Sequence, residues 1–369
     1  MKIAIDARLI HETGVGRYIR NLIAKLSVYD SKNSYVIFLT KQSFDTFILP
    51  NERWSKKLAD VHWHTINEQI IMPWLLYKEH VDLVHIPYFN VPILYPGTFI
   101  VTMHDLTILH HSTGKASMLP YWKYLLRNIG YRFVLWVSVH RAKKILTVSK
   151  TVKKDILSNF SIPSTKIDVT YEGIDDSFLQ HIPLSKYRKP RNKYFFYVGN
   201  VYPHKNIEIL LEAFSLFAKR VHEKISLILV GPDDYFYARL SLLITSLEMD
   251  NIVEIRHGVN DAELSMLYSN AIALVFPSRM EGFGLPALEA LSHSCNVIAS
   301  DIPIFHEVLE EYARYADTTN AESLSRVMNE VYTEQSNMTD KRKQLVQFLS
   351  KYSWDTMAKQ TYSAYIKTV

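Results

Sequence analysis

Short apolar runs alternate along this chain with longer stretches in which apolar residues recur at helical spacing. Short runs bounded by Gly, Pro, Asn or Asp read as buried strands, and the longer periodic stretches as helices. In the first half the strands fall at Lys2–Ala7, Tyr35–Thr40, Asp82–Ile86, Phe99–Met103, Lys144–Val148 and Ile167–Tyr171. Helices are expected through Tyr18–Leu26, from Pro120 to His140, and over Thr151–Asn159, where Ser149 makes a good N-cap. Leu184–Lys193, with Pro183 and Pro190 in and beside it, interrupts the pattern as an interdomain linker does. Beyond it the pattern restarts, with strands at Tyr194–Val198, Ser226–Val230, Ile252–Arg256, Ala271–Phe276 and Asn296–Ser300 and helices at Ile207–Arg220 and Ala262–Ser269. The alternation predicts an α/β protein of two doubly wound halves, residues 1–185 and 194–352, joined by a linker over 186–193. A further amphipathic helix follows from Ser353.

The pattern says most where the strand Ala271–Phe276 runs into Ser278-Arg279-Met280-Glu281-Gly282-Phe283-Gly284-Leu285-Pro286-Ala287-Leu288-Glu289-Ala290. Gly282 and Gly284 free the backbone before a helix, and Pro286 is expected at its first position, where a missing N–H costs nothing. A strand, a glycine turn and a helix N-terminus leave unpaired N–H groups that seat phosphate. Glu281 lies in the turn, and Glu289 lies a turn into the helix, on its flank. An anion seat between two carboxylates suits a ligand with a diphosphate in the middle and hydroxyls at both ends, which is the layout of a nucleotide sugar. A second glycine turn, Thr13-Gly14-Val15-Gly16, follows the first strand and lets a diphosphate approach the backbone. It is not Gly-x-Gly-x-x-Gly, and no acidic residue is placed for a dinucleotide ribose.

Composition narrows the setting. A length of 369 residues suits two domains, and 48% hydrophobic residues suffice for their cores. The single cysteine, Cys295, rules out an internal disulfide framework and fits a reducing compartment, so a cytoplasmic location is expected. The opening Met1–Arg8 reads as a buried strand and not as a secretion leader, and no run of eighteen apolar residues is present to span a bilayer. The net charge of +5 is unevenly spread: between Asp105 and Asp155 there are ten Lys or Arg and no acid. Acids are absent again between Asp176 and Glu208, where Lys186, Arg188, Lys189, Arg191 and Lys193 cluster. Such patches attract nucleic acid, anionic lipid or phosphorylated substrates, or are simply a solvated face and a basic linker; no nucleic-acid partner is expected. His110-His111 has no further ligand at metal spacing, and Asp233-Asp234 reads as a solvated loop pair, so no metal site is expected.

The segment Glu281-Gly-Phe-Gly-Leu-Pro-Ala-Leu-Glu289, a Glu, seven residues and a Glu, resembles the hallmark of the retaining glycosyltransferases of family 4. The resemblance covers nearly the whole chain. It implies the GT-B fold, in which two doubly wound Rossmann-like domains face each other across a cleft. The helix over 353–369 then crosses back onto the N-terminal, acceptor-side domain, and the C-terminal domain binds the donor. It further implies transfer of a hexose from a nucleoside diphosphate sugar, with no cofactor and no divalent metal. Thr13-Gly14-Val15-Gly16-Arg17-Tyr18 matches the family's first glycine loop, which places Gly14 and Gly16 at the diphosphate. His104, at the end of a strand, matches the histidine beside the donor sugar ring, with Asp105 a candidate to orient it or an acceptor hydroxyl. Gly199–Asn206 resembles the segment in which an Arg and a Lys hold the diphosphate; Lys205 matches the Lys, whereas Asn200 stands at the Arg position, so one cation is missing. Gly258-Val259 matches, one residue short, a turn whose backbone meets the nucleobase. The same resemblance gives the diphosphate to Lys205 and the N–H groups of Phe283, Gly284 and Leu285, the sugar hydroxyls to Glu281, and the ribose diol to Glu289. His104, Lys205 and Glu281 are thus the expected catalytic residues.

Thr-Gly-Val-Gly-Arg-Tyr with His104-Asp105 is most similar to mannosyltransferase-like enzymes of bacterial surface polysaccharides, which favours GDP-mannose over a UDP-sugar as donor. The expected acceptor is a glycan or a polyprenyl-diphosphate-linked sugar. The acid-free stretch Leu106–Lys154 contains Tyr121–Arg127 and Phe133–Trp136, so that aromatics interleave with cations along it. Two readings of that stretch stay open: peripheral contact with an anionic membrane at the inner face of the plasma membrane, or an ordinary helix packed under the strand Lys144–Val148. Two other functions stay open at this level. One is a GT-B sugar-nucleotide epimerase, which the Glu281/Glu289 pattern argues against. The other is a non-catalytic nucleotide-sugar-binding partner subunit, which Asn200 alone favours.

Overall fold

The computed structural model describes residues 1–110, 121–175, 178, 190–334 and 342–369. The chain divides into two compact units, Met1–Gly173 with Tyr352–Val369, and Ile174–Lys351. The first boundary therefore falls at Gly173 and not at 185: Phe178 already packs edge-on against Tyr268 and His293 of the second unit. Residues 186–189 of the expected linker lie outside the described residues.

The first unit runs β1 (Lys2–Asp6), α1 (Gly14–Tyr29), β2 (Ser34–Leu39), α2 (Lys41–Thr46), β3 (Trp54–Leu58), α3 (Ile66–Lys78), β4 (Leu83–Ile86), β5 (Phe99–Met103), α4 (Thr107–His110), α5 (Tyr121–Arg141), β6 (Lys144–Thr147), α6 (Lys150–Asn159) and β7 (Ile167–Val169). Its strands make one parallel sheet in the order β3-β2-β1-β4-β5-β6-β7. The second unit runs β8 (Tyr194–Val198), α7 (Ile207–Ala218), β9 (Ser226–Val230), α8 (Tyr235–Ser246), β10 (Val253–Arg256), α9 (Asp261–Asn270), β11 (Ala273–Phe276), α10 (Leu285–Ser292), β12 (Asn296–Ser300), α11 (Pro303–Leu309), β13 (Arg314–Ala316), α12 (Ala321–Glu334) and α13 (Arg342–Leu349). Its sheet is also parallel, in the order β10-β9-β8-β11-β12-β13. Parallel sheets covered by helices on both faces have no solvent side, which is why β5 and β11 are buried along their whole length and read as unbroken apolar runs.

The strand order reverses direction beside β1 and β4 in one unit and beside β8 and β11 in the other. Such switch points open a crevice outside the carboxyl ends of the strands, where ligands of doubly wound sheets bind. The two glycine turns and Lys205 follow β1, β11 and β8 there.

After the second unit the chain returns to the first through α14 (Trp354–Thr368). This helix packs on α1, with Tyr29 edge-on to Tyr362 and Lys25 paired with Asp355 at 3.1 Å. Its buried Tyr365 hydroxyl meets Nδ1 of His85 at 2.6 Å, and His85 Nε2 meets Thr102 Oγ1 at 2.8 Å. Gly173 makes the junction: a Cβ there would lie 2.2 Å from the backbone nitrogen of Trp354.

Candidate functional site

The loop after β11 is built by backbone permissiveness and by stitching to its neighbour. Gly284 has φ +103°, a conformation side chains rarely adopt, and it is the N-cap of α10. The helix begins at Leu285, so Pro286 is its second residue and not its first. Gly284 and Leu285 donate no backbone hydrogen bond among the described residues, which leaves two N–H groups at a helix start. The loop after β8 is tied alongside: Arg279 N–H donates to His204 O at 2.8 Å. Asn206, at φ 62°, is buried and donates from its amide to Pro277 O at 3.2 Å and Thr318 O at 2.8 Å. This bracing brings together two residues distant in sequence. Lys205 Nζ donates to Glu281 Oε1 at 2.6 Å, and Ser278 Oγ donates to the same oxygen at 2.7 Å.

The pairing leaves capacity on both partners. An ammonium carries three N–H donors and one is used, while Oε2 of Glu281 accepts no bond among the described residues. A cation, two helix N–H groups and a free carboxylate oxygen therefore stand around one turn. Asn200 adds no charge; its Oδ1 is buried and accepts no hydrogen bond among the described residues. Glu289 is not on a solvated flank of α10. It is 2% exposed, and Tyr268 Oη of α9 donates to its Oε2 at 3.0 Å. Phe283 and Leu285 are buried and fasten the turn to the core. Val259 is half-buried in the turn after the edge strand β10, two strands from β8, behind Gly258 at φ +65°.

In the first unit, Gly16 is required by close packing: a Cβ would lie 2.6 Å from Ile10 O. A Cβ on Gly14 would meet nothing within 4 Å, so the space in front of that turn is open. His104 follows β5 and is held on three sides. Its Nδ1 lies 3.1 Å from Glu172 Oε1, its Nε2 lies 3.3 Å from Pro87 O, and its ring packs edge-on against Tyr18 at 4.9 Å. Asp105 does not bond His104; it accepts at 2.7 Å from the N–H of Thr107, the first residue of α4. Glu172, the actual partner, was missed because it lies 68 residues away. The strand end before Glu172-Gly173 is the signal that could have found it. Ser278 and Tyr268 were likewise invisible, since each acts through a side-chain contact that no spacing encodes.

A buried ionic cluster sits near the carboxyl end of β1. Arg8 bonds Asp6 at 2.6 and 2.9 Å and Glu68 of α3 at 2.6 Å. Glu68 also accepts the backbone N–H of His64 and the amide of Asn90. Burial pushes the Glu68 carboxyl above its usual range and holds His64 down at about 4. Among the described residues, no three His, Cys, Asp or Glu side chains are placed to hold a metal ion. His110 instead meets both carboxylate oxygens of Asp155 at 3.0 Å, and His111 lies outside the described residues. Asp234 is not a solvated loop acid: it caps α8, accepting from Phe236 N–H at 3.0 Å and Tyr237 N–H at 2.9 Å.

The chain is similar to known proteins over both units. A family described as Glycosyltransferase Family 4 matches residues 13–178, and one described as Glycosyl transferases group 1 matches residues 184–349. The chain is 30% identical over 312 residues to the O-antigen chain mannosyltransferase RfbU of Salmonella typhimurium, covering 84% of this chain and 80% of that one. It is 26% identical over 381 residues to the O-antigen chain mannosyltransferase B of Escherichia coli, covering 96% of each. Among solved structures, sucrose-phosphate synthase from Thermosynechococcus elongatus superposes with a TM-score of 0.79 at 17% identity, over 100% of this chain and 98% of that one. HepE of Anabaena, solved in complex with UDP and glucose, gives 0.76 at 15% identity over the whole of both chains. These structural likenesses show the GT-B fold.

Proposed function

Because the chain belongs to glycosyltransferase family 4, we propose that it transfers a hexose, mannose first among candidates, from a nucleoside diphosphate sugar to a glycan or lipid-linked acceptor in cell-surface polysaccharide synthesis, with retention at the anomeric carbon. The observation that carries the reading is the Lys205–Glu281 pair beside the free N–H groups of Gly284 and Leu285. The named activity of two O-antigen mannosyltransferase relatives supports mannose, and so GDP-mannose ahead of UDP-sugars.

In this scheme the bond between the anomeric carbon and the diphosphate oxygen breaks. The acceptor oxygen bonds to that carbon on the same face, and its proton passes to the departing phosphate oxygen. The protein's part is then to hold charge and geometry. Lys205 and the start of α10 stabilise the diphosphate as its charge grows. Glu281 Oε2 takes sugar hydroxyls, and Glu289 takes the ribose diol by exchanging its bond with Tyr268. For His104 at the sugar, the support is the family resemblance and its place at the end of β5. With Lys205 as fixed cation the reaction is expected to run without a divalent metal. A cytoplasmic site of action, in peripheral contact with the membrane that carries a lipid-linked acceptor, belongs to the same reading.

The test is a thermal-shift and turnover screen over GDP-, UDP- and dTDP-sugars, followed by two variants. Lys205→Ala is expected to lower kcat by roughly 100-fold or more, since it acts where charge develops. Glu289→Ala is expected to raise the donor Kd by roughly tenfold, as a charged hydrogen-bond acceptor is lost. Wild-type donor affinity and turnover in both variants would remove the assignment. Activity abolished by EDTA and restored by magnesium or manganese would remove the metal-free scheme.

A further inference from the structure

On α5 the apolar residues Trp122, Leu126, Ile129, Phe133 and Trp136 recur every three to four positions, the spacing of one helix face. Such a stripe ordinarily faces the core. Here it faces outward: Trp122 is 61% exposed and Trp136 51%, with the three between them also more than half open. Core packing falls instead to Leu135 and Val139 in the last turns of the helix. The same holds on α3, where Met72 and Leu76 are buried while Ile66, Ile70, Trp74 and Tyr77 lie open on the other side, Trp74 by 55%. The two helices are joined. His64, just before α3, packs against Tyr131 of α5 at 4.7 Å. Ile93 N–H donates to Gln69 of α3 at 2.8 Å, and its carbonyl accepts from Arg141 of α5.

We propose that the exposed faces of α3 and α5 form one docking surface for an anionic lipid bilayer. The surface gives residues to the membrane contact named above, and it is tested separately from donor turnover. Isolated exposed apolar side chains need no explanation, but two joined apolar stripes do. Their aromatic content suits the level of lipid headgroups, where the amphipathic rings of Trp and Tyr settle. The charge identifies the lipid. Lys123, Arg127 and Arg132 lie on α5 with no acidic residue from 106 to 154, and Lys78 Nζ of α3 lies 3.6 Å above the Trp74 ring. The acids nearby are engaged inward: Glu68 on Arg8, and Glu79 on Lys2 and Lys57. A second copy of this chain docked through α5 would set cations against cations, which disfavours a dimer on this face. Anionic headgroups meet the same cations favourably, while the apolar stripes enter the acyl boundary.

The test uses the full chain and two kinds of vesicle, pure phosphatidylcholine and a mixture with phosphatidylglycerol, in low and high salt. Wild type is expected to sediment with the mixed vesicles at low salt and to be released as salt rises. Lys123→Glu with Arg127→Glu and Arg132→Glu is expected to lower partitioning at least about 100-fold. Trp74→Ala with Trp122→Ala is expected to lower it at unchanged charge, which separates insertion from electrostatic adsorption. All these positions are exposed, so melting temperature and donor hydrolysis without acceptor should stay near wild type. No sedimentation of wild type at low salt overturns the proposal. So does sedimentation that survives both sets of substitutions, and so does a wild-type dimer that the tryptophan substitutions dissociate. Loss of donor hydrolysis in every protein, wild type included, would instead count against the glycosyltransferase reading.

Discussion

Lys205 and Glu281 were legible one by one because a motif marks each, but their contact was not, since it depends on two loops stitched through Asn206 and Arg279. Glu172 shows the same limit for His104. Both neighbours of the His104 ring are hydrogen-bond acceptors, the Glu172 carboxylate at Nδ1 and the Pro87 carbonyl at Nε2. Glu172 therefore fixes which way the ring is turned. Glu172→Ala is expected to lower kcat about 10- to 100-fold, the worth of one charge-assisted hydrogen bond, with donor KM nearly unchanged. Glu172→Gln, which still accepts at Oε1, should recover part of the loss; equal defects in both variants, or a change in KM alone, would argue against orientation. His85 makes a prediction of another kind. Burial holds it at about 3 against an ordinary 6.5, so the folded state keeps a neutral ring where the unfolded chain takes up a proton. Well above 6.5 the ring is neutral in both states and costs nothing; as pH falls from there toward 3 the unfolded chain alone gains the proton, and stability is lost by up to ~1.4 kcal/mol per pH unit. His64, held at about 4, acts in the same sense. Urea unfolding at pH 7, 6 and 5 should show this slope in wild type and a shallower one in His85→Gln; equal slopes would contradict the assignment.

At the scale of elements, the strands that position the site were legible because parallel strands covered on both sides have no polar face to confuse the pattern. The elements that were missed broke the periodicity for physical reasons. Strand β3, Trp-Ser-Lys-Lys-Leu, is an edge strand whose lysines discourage further pairing, so it reads as loop. Helix α3 contains Pro73 and carries apolar residues on opposite sides, one set buried and one open, so no single stripe announces it. Helix α8 was hidden by its own cap, because Asp234 beside Asp233 looked like a solvated acidic pair. The glycine turn before α10 was legible, and its geometry can be challenged directly. A Cβ on Gly284 would sit at φ +103° and 3.1 Å from the Phe305 ring. Gly284→Ala is expected to cost about 1–3 kcal/mol of stability and to weaken donor binding, because the helix start must shift. A variant with wild-type unfolding and wild-type donor affinity would show that the turn tolerates a side chain.

For the whole molecule, two doubly wound units could be inferred from the restarting pattern, whereas the ownership of the final helix could be reached only by resemblance. Trp354 and Tyr365 are buried in the first unit, and His85 and Thr102 there depend on Tyr365 for a complete hydrogen-bond chain. Removing residues 353–369 is expected to leave buried polar groups unpaired and an apolar seam along α1 open, at a cost of several kcal/mol. The truncated chain should show a lowered first transition by calorimetry, while the transition of the second unit stays in place; a single unchanged transition would contradict this. The arrangement also sets an order of events during synthesis. The second unit, Ile174–Lys351, is one unbroken stretch and has all its parts once that stretch has left the ribosome. The first unit emerges earlier yet must wait for more than 170 further residues before α14 can close it. A unit that is begun first and completed last spends translation with an open flank, so this protein is expected to lean on chaperones while nascent more than its finished stability would indicate.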